Sequence, residues 1–311
     1  MAKILITGSS GFVGRNLVAL AKEQGHIVIN YDLTNHQDIL NCEQLHWAMK
    51  GCDLVIHLAA QVAPQKQFSQ GLNYNYQVNI TGFLNVIEAA RQEGIKKFVY
   101  ASSSAVYGRL GDKNEGFRED MAIDYTREPN YYGKSKMINE MIAQSYNEAY
   151  GMETIGFRLI SAYGPGDMER ADGGSIIAHL LKDHLETGTL ELFGNGSTAR
   201  DFLYITDCCK MILDLADKAD NGVYNIGSGN ATTVKQIAEL LGSKITYKEN
   251  PNSYVYPVVT ANMSKTFGSI GHRALTPIEE GINRMLDYYK MKDGKSMLRQ
   301  EPKPEKQKSK Q

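Results

Sequence analysis

The chain has 311 residues, a formal net charge of −1 and a sequence pI near 6.7. This length is enough for one large domain or for two, and the near-neutral charge argues against a general nucleic-acid or membrane-surface binder. We therefore expect neither a nucleic-acid partner nor a membrane partner.

The four cysteines form neither a disulfide framework nor a zinc-site pattern. They make no Cys-x-x-Cys pair and no histidine cluster accompanies them, which is typical of a protein from a reducing cytosol. The sequence enters an apolar strand at once, which leaves no room for a signal peptide, and no apolar run approaches the roughly 18 residues of a membrane span. We predict a cytoplasmic protein without a metal site.

Short apolar strands alternate with amphipathic helices through the first half of the chain. The strands are continuous apolar runs, which is typical of a parallel sheet buried on both faces. The alternation predicts an α/β fold built on a Rossmann-type doubly wound parallel sheet. Strands are predicted over residues 3–7, 27–31, 54–59, 97–101 and 154–160, and helices over 13–24, 77–93 and 132–150.

Residues 1–165 are predicted to form this first domain, with a return segment near 200–228. From about Pro165 onward the pattern loosens into shorter elements separated by Gly, Asn and Ser, so residues 166–290 are predicted to form a second, smaller region. Residues 291–311 carry Lys, Gln, Glu and Pro with little apolar content and are predicted to be a disordered tail.

The first predicted strand runs into Gly8, Gly11 and Gly14, and a helix follows. Glycines let the chain turn tightly and let backbone amides approach a pyrophosphate at the helix N-terminus. The spacing differs from the standard Gly-x-Gly-x-x-Gly fingerprint, and a purely structural turn is the alternative. Asp32 ends the second strand, where a carboxylate accepts hydrogen bonds from the adenosine ribose hydroxyls and repels a 2′-phosphate. The combination predicts a dinucleotide site that prefers NAD to NADP.

Tyr132 and Lys136 are four residues apart, so on a helix they share one face. A free tyrosine ionises near pH 10, and a nearby ammonium lowers its pKa by favouring the phenolate. A decrease of the pKa to about 7 requires about 4 kcal/mol. The pair is a candidate base, although the same spacing also occurs by chance on solvated helix faces.

Several further motifs follow one another along the chain. Together with the glycines and the Tyr132/Lys136 pair, they resemble the extended short-chain dehydrogenase/reductase family, in its NAD-dependent nucleotide-sugar epimerase/dehydratase branch, which includes UDP-sugar 4-epimerases. The resemblance covers roughly residues 3–290. Its motifs are His57-Leu58-Ala59-Ala60, Asn79-Ile80-Thr81-Gly82, Ser102-Ser103-Ser104, Tyr163-Gly164-Pro165 and Arg200-Asp201-Phe202.

The resemblance implies that Tyr132 takes a proton from a sugar hydroxyl while hydride leaves the same carbon for NAD. It also implies that Lys136 lowers the pKa of Tyr132 and binds the nicotinamide ribose, and that Ser103 hydrogen-bonds the reacting oxygen. Asp53 and His57 are expected to serve the fold. The residues expected at the NAD cofactor are Gly8, Gly11, Phe12, Val13, Gly14, Asp32, Asp38, Ile39, Leu58, Ala59, Ala60, Asn79, Ala101, Tyr132, Lys136 and Ile160.

On the substrate side, the resemblance implies a nucleotide-diphosphate sugar held by residues 166–290, with the guanidinium of Arg200 gripping the diphosphate. Many relatives have Asn at the position of Ser161 and a second arginine near residues 250–257, where this chain offers Tyr254 and Tyr256 instead. Asp207 is expected to cap the following helix. The expected substrate-binding residues are Ser103, Ser104, Tyr132, Ser161, Phe193 and Arg200.

Dehydratase relatives usually place a carboxylate straight after the catalytic Ser or Thr, where this chain has Ser104 and Ala105. The absence of a carboxylate at these positions favours a 4-epimerase. Glu115, Glu119 and Asp120 from a nearby loop remain as candidate acids for the elimination of water. A dehydrogenase or reductase that exchanges NAD(H) with solution is an alternative, and a non-catalytic NAD-sensing protein is another.

The resemblance also implies a homodimer that pairs helices 77–93 and 132–150 of two subunits. An apolar stripe is available for this, although burial against the chain's own sheet is the alternative. The stripe consists of Met137, Ile138, Met141 and Ile142.

Overall fold

The computed structural model describes residues 1–62, 71–108, 116–123, 131–170, 174–249, 258–272 and 274–297. Within these residues the centre of the molecule is a six-stranded sheet in which every neighbouring pair of strands is parallel. This confirms the predicted Rossmann-type fold. From one edge to the other its strands are β2 (Ile27–Tyr31), β1 (Lys3–Thr7), β3 (Leu54–His57), β4 (Lys97–Ala101), β5 (Glu153–Leu159) and β9 (Gly222–Ile226).

Helices cover both faces of this sheet, because successive side chains of a strand point to opposite sides. Ile4 and Ile6 of β1 enter the apolar cluster on one face, whereas Leu5 between them enters the cluster on the other. The first cluster contains residues of α1 (Phe12–Glu23), α7 (Ile205–Lys218) and α9 (Ser264–Ile270). The second contains residues of α2 (Cys42–Met49), α4 (Gly82–Gln92) and α5 (Tyr131–Tyr150).

The helix predicted over residues 77–93 is divided in the structure. Gly71–Tyr76 form α3, Gln77–Thr81 form a π-helical turn, and α4 follows from Gly82. The strand predicted over 54–59 ends at His57, so residues 58–60 leave the sheet without regular structure. A π-helical turn widens the helix locally and is frequent at functional sites.

A second, smaller region is built around β8 (Ala199–Tyr204). It pairs with β6 (Ser161–Tyr163), β10 (Ala231–Thr233) and β12 (Val258–Val259). Beside it lie a two-stranded sheet and three helices. These are β7 (Thr189–Phe193) and β11 (Lys244–Lys248), with α6 (Ile176–Thr187), α8 (Val234–Leu240) and α10 (Ile278–Met297).

The predicted organisation differs from the structure in several details. Strand β6, predicted within the first domain, pairs with β8, and helix α9, predicted within the second region, packs on the central sheet. The return segment near 200–228 is divided, because α7 and β9 join the central sheet whereas β8 belongs to the second region. Helix α10 continues to Met297, so residues 291–297, predicted as part of a disordered tail, are helical. The rest of that tail lies outside the described residues.

The strand order reverses at β1, which lies between β2 and β3. In open parallel sheets, ligands bind in the crevice at the carboxyl ends of the strands where the order reverses. The glycine-rich loop follows β1 and residues 58–60 follow β3, so these two segments lie at this crevice.

Candidate active site

The glycine-rich loop packs so tightly that its glycines are required. Gly8 has φ +68°, and a Cβ there would lie 2.7 Å from the amide nitrogen of Ala59. A Cβ on Gly14 would lie 2.1 Å from the carbonyl oxygen of Gly8. The loop, the start of α1 and residues 58–59 therefore approach one another at backbone distance.

The start of α1 suits the pyrophosphate of a dinucleotide. Gly11 occupies the cap position without a side-chain hydrogen bond, and the first turn carries no acidic residue. Phe12 and Val13 begin the helix, so their amides are among those that lack partners within it. The hydroxyl of Ser9 is buried and has no hydrogen-bond partner within the described residues. These features fit NAD, whose phosphates accept such hydrogen bonds.

Asp32 lies directly beside this loop. Its carboxylate accepts hydrogen bonds from the amide of Ser10 at 2.9 Å and from the amide of Thr34, also at 2.9 Å. Asp38 accepts a hydrogen bond from the amide of Leu40 at 2.9 Å, whereas Ile39 packs into the apolar cluster beneath α4. The adenosine contacts predicted for Asp32, Asp38 and Ile39 remain predictions.

Lys136 is buried at the carboxyl end of the sheet. Its side chain is 1% exposed, and its Nζ donates a hydrogen bond to the carbonyl oxygen of Ala101 at 2.8 Å. The same Nζ lies 5.6 Å from the centroid of the Tyr132 ring. Burial lowers the pKa of Lys136 to about 8, against the opposing effect of the Glu140 carboxylate. The structure therefore brings together the phenol and the amine that the sequence pairs.

The three serines after β4 have different surroundings. Ser103 caps a short 3₁₀ turn, Ser104–Tyr107, and its Oγ accepts a hydrogen bond from the amide of Ala105 at 3.1 Å. Ser104 is the first residue of that turn and is partly exposed. Ser102 is buried, and its Oγ donates to Glu140 at 2.5 Å. Ser103 remains the predicted catalytic hydroxyl.

Asn79 is in the π-helical turn and is 1% exposed. Its amide oxygen accepts from the backbone N–H of Gln61 at 2.7 Å, and its amide nitrogen donates to the Gln61 carbonyl and to Ser135, both at 3.1 Å. Ser135 in turn donates to the carbonyl oxygen of Tyr132 at 2.7 Å. Asn79 thus connects the loop after β3 to the helix that carries Tyr132 by hydrogen bonds. Its predicted contact with the cofactor stays a prediction.

Three of the six predicted substrate residues, Ser161, Phe193 and Arg200, lie in the second region. Arg200 is on β8, where burial lowers the pKa of its guanidinium and Nη1 donates to the carbonyl oxygen of Ala199 at 2.7 Å. Ser161 of β6 pairs with Phe202 of β8. Ile160 is the single residue between β5 and β6. Phe193 ends β7 and is 51% exposed. Residues 254 and 256, proposed as alternative phosphate contacts, lie outside the described residues.

Two expectations about the fold can be judged directly. His57 is buried on β3, with its Nδ1 2.8 Å from the hydroxyl of Thr7, and Asp53 accepts from the amide of Lys3 at 2.8 Å, so both serve the fold as predicted. The prediction that Asp207 caps α7 is wrong. Tyr204 is the cap residue, and Asp207 instead accepts a hydrogen bond from the amide of Thr276 at 2.8 Å.

Sequence reasoning missed an ion pair between α5 and β5. Glu140 of α5 forms two hydrogen bonds with Arg158 of β5, at 2.9 and 2.8 Å. Their side chains are 11% and 4% exposed, respectively. The available signal was that Glu140 follows Lys136 by four residues, on the same helix face, and that Arg158 interrupts an apolar strand.

The described residues offer neither a metal site nor a membrane-spanning helix. Among them no cluster of histidine, cysteine and carboxylate side chains is placed to hold a metal ion. In the same part of the chain every helix is too short or too polar to cross a membrane.

Comparison with known proteins identifies relatives over most of the chain. The profile of the NAD dependent epimerase/dehydratase family matches residues 4–227. A UDP-glucuronate 4-epimerase from Thermodesulfobacterium geofontis is 27% identical over 93% of this chain and 97% of its own length.

Solved structures give the same result. The UDP-glucose 4-epimerase of Thermotoga maritima, crystallised with UDP-glucose, is 26% identical with a TM-score of 0.79, over 93% of this chain and 99% of that one. An NAD-dependent NDP-hexosamine 5,6-dehydratase from tunicamycin biosynthesis is 26% identical with a TM-score of 0.81, over 94% and 98% of the two chains. The chain is thus an enzyme with NAD as its cofactor, and it belongs to the NAD dependent epimerase/dehydratase family.

Proposed function

We propose that this enzyme is a 4-epimerase of a nucleotide-diphosphate sugar. The observation that carries the proposal is the buried Lys136 ammonium beside the Tyr132 ring, at the carboxyl ends of the strands that form the cofactor crevice. The relatives named as UDP-sugar 4-epimerases support the choice of reaction.

In the proposed reaction Tyr132 takes the proton of the sugar 4-hydroxyl. The ammonium of Lys136 favours the phenolate, because an opposite charge in a water-poor site stabilises it. Ser103 donates a hydrogen bond to the reacting oxygen, so that the proton transfer to Tyr132 follows a short path. When bound, NAD accepts the hydride from the same carbon and later returns it.

Epimerisation further requires that the keto sugar turn over within the site. Hydride then returns to the opposite face of C4, Tyr132 gives its proton back to the oxygen, and no net oxidation occurs. Arg200, with Ser161 and Phe193, is proposed to hold the nucleotide diphosphate during this movement, with the second region around β8 as the substrate-binding region.

The surroundings of the loop carboxylates support an epimerase over a dehydratase. Glu119 accepts a hydrogen bond from the amide of Asn225 at 2.7 Å, and the exposed Asp120 pairs with Arg118 at 2.9 Å. Both carboxylates are therefore engaged with groups other than the Tyr132 site. Glu115, the remaining candidate acid, lies outside the described residues.

We further propose a cytoplasmic homodimer. Cys52, Cys208 and Cys209 are buried free thiols, which fits a reducing compartment. Leu84 on α4 and Met141 on α5 are 42% and 67% exposed, so each of the two helices presents apolar surface. Met137, by contrast, is buried within the chain. Sedimentation at micromolar concentration tests the dimer, and a monomer would contradict it.

The reaction is tested by incubating the protein with UDP-, GDP-, dTDP- and CDP-sugars and following them by NMR without added NAD. Interconversion of C4 epimers is the expected result. Stoichiometric release of NADH would instead indicate a dehydrogenase, and a product that has lost water would indicate a dehydratase. A protein that binds NAD but converts none of these sugars would contradict the proposal.

A further inference from the structure

Ser102, the residue before the proposed catalytic Ser103, is hydrogen-bonded to a buried ion pair. Ser102 donates to Oε1 of Glu140 at 2.5 Å; the same oxygen accepts from Nε of Arg158 at 2.9 Å, and Oε2 of Glu140 accepts from Nη2 of Arg158 at 2.8 Å. The backbone N–H of Ser102 also donates to the carbonyl oxygen of Phe157 at 2.8 Å. The residue before Ser103 is therefore fixed through both its side chain and its main chain.

Helix α5 holds the end of β4 at two successive residues. Tyr132, Lys136 and Glu140 follow one another at intervals of four residues, so they lie along one side of the helix. Lys136 donates to the carbonyl oxygen of Ala101, and Glu140 accepts from Ser102. The helix that carries the proposed base thus also fixes the strand end that leads to the proposed catalytic serine.

Arg158 also contacts the far end of the turn that Ser103 begins. Its guanidinium lies 4.8 Å from the centroid of the Tyr107 ring, and Tyr107 is the last residue of that turn. The hydroxyl of Tyr107 donates to Asn225 at 2.6 Å, and Nη1 of Arg158 contacts the carbonyl oxygen of Glu119 at 3.3 Å. Both ends of the turn are consequently held by groups in contact with one ion pair.

We propose that Glu140 is a positioning residue for the reaction at Tyr132, because through Ser102 it fixes the hydroxyl of Ser103 relative to the phenol. The proposal rests on the proposed function, since it gives Glu140 a role in that reaction. A buried ion pair is often no more stabilising than apolar side chains of similar volume, so stability alone is a weak reason for this arrangement.

Charge gives Glu140 a second influence on the site. The groups that interact electrostatically with Lys136 are Glu140 on its own helix and His57 on β3, with the Tyr132 ring nearby. Glu140 also faces Arg158 on β5 and Tyr100 on β4. Its carboxylate raises the pKa of Lys136 and so partly offsets the larger effect of burial.

The most selective test is Ser102→Ala, which removes the link and keeps the ion pair. We expect kcat to fall by about 10- to 100-fold, because small displacements of catalytic groups have effects of this size. The KM for UDP-glucuronic acid and the dissociation constant for NAD should stay within about twofold, since neither ligand is expected to contact Ser102. Hydrogen exchange of the Ala105 amide, which donates to Ser103, should become faster.

Thr154→Val is the matched control. Thr154 is also buried, and its hydroxyl on β5 lies 2.9 Å from the side-chain oxygen of Asn221 and 3.3 Å from the carbonyl oxygen of Ala143, eleven residues beyond Tyr132 on the same helix. Thr154→Val should lower the thermal unfolding temperature without changing kcat or the hydrogen-exchange rate of the Ala105 amide. An unchanged kcat in Ser102→Ala would overturn the proposal.

Glu140→Gln adds a readout that a purely structural role would not change. Loss of the carboxylate lowers the pKa of Lys136 further, so the alkaline limb of the kcat profile should move to lower pH. An alkaline limb that stays in place contradicts the proposal, and if this variant does not fold, Ser102→Ala decides alone. Tyr132→Phe separates the two ideas: if it retains wild-type turnover, the proposed function fails, whereas an inactive Tyr132→Phe beside a fully active Ser102→Ala refutes only the role of Glu140.

Discussion

The two regions of the molecule are built in different ways. In the central sheet, neighbouring parallel strands and their helices position the glycine-rich loop, Ser103, Tyr132 and Lys136 at the carboxyl ends of the strands. In the second region, β8 pairs with three short strands, β6, β10 and β12, that come from distant parts of the chain. The proposed base Tyr132 and its partner Lys136 therefore lie on a 20-residue helix, whereas the proposed diphosphate contact Arg200 lies on a strand whose neighbours are only two or three residues long.

This difference predicts two kinds of variant. Substitutions of the residues at the carboxyl ends of the central strands should lower kcat for every sugar that the enzyme accepts, because they change the proposed reacting groups themselves. Substitutions around β8 should raise KM and change the preference between sugars while leaving kcat largely intact. The following predictions test this division, from the largest effect to the smallest.

Tyr132→Phe should lower kcat by about 10³-fold, because a positioned acid–base group contributes 10² to 10⁴. Binding of NAD should be retained, as measured by calorimetric titration. Tyr131→Phe is the control, since its ring is the neighbouring, 42% exposed aromatic on the same helix. Equal losses in the two variants would argue against a specific role for Tyr132.

Lys136→Met should abolish turnover and yet stabilise the protein by about 2 kcal/mol at pH 7, because the cost of burying the charge, about 3 kcal/mol, exceeds the roughly 1 kcal/mol contributed by its hydrogen bond to Ala101. Burial lowers the pKa of Lys136 from 10.5 to about 8, so the unfolded chain binds this proton more tightly than the folded protein does. The penalty is complete below pH 8 and disappears as the pH rises towards 10.5. The difference in unfolding free energy between Lys136→Met and the wild type should therefore be largest below pH 8 and decrease as the pH rises towards 10.5.

Urea unfolding from pH 6.5 to 10 measures this effect, with Lys134→Met as the control from the same helix. A stability difference that does not change with pH would mean that the buried charge is not its cause.

Arg200→Ala should raise the KM for the nucleotide sugar by about 10- to 100-fold, which corresponds to the loss of charge-assisted hydrogen bonds. The value of kcat should change by less than about threefold, because the guanidinium is proposed to contact the diphosphate and not the reacting carbon. Arg118→Ala removes an exposed arginine paired with Asp120 and should leave both constants unchanged. A loss confined to kcat would contradict the proposed division.

Phe193→Ala should have the smallest effect, a rise in KM of about two- to fivefold, because the ring is 51% exposed and contributes only part of its surface to the proposed substrate contact. Tyr247→Ala, which removes a 52% exposed aromatic from the paired strand β11, is the control. Equal KM values for Phe193→Ala and the wild type would remove Phe193 from the substrate site.

The same division explains what the sequence could predict. Strands 3–7, 27–31 and 97–101 were predicted with their observed ends, because continuous apolar runs bounded by turns identify buried parallel strands. The strands that pair with β8 are two to three residues long and carry no periodic pattern, so their pairing depends on contacts that sequence patterns do not encode. The π-helical turn at Gln77–Thr81 was missed because it interrupts an otherwise continuous helical pattern.

The candidate site divides similarly. Tyr132 and Lys136 are predictable because their spacing alone places them on one helix face. The link from Ser102 through Glu140 to Arg158 is not, because its members are 38 and 18 residues apart in sequence and meet only when α5 packs on the sheet. The cap predicted at Asp207 failed because α7 begins two residues earlier, at Ile205.

The most direct test of the account follows the hydrogen on C4 of the sugar. UDP-glucuronic acid and UDP-glucose carrying deuterium at C4 are incubated separately with the protein in ordinary water, without added NAD, and the product is analysed by NMR. If the same hydride leaves and returns within the site, the C4 epimer of at least one of them forms with its deuterium retained at C4. Deuterium lost to solvent, or release of labelled NADH without an epimer, would contradict it.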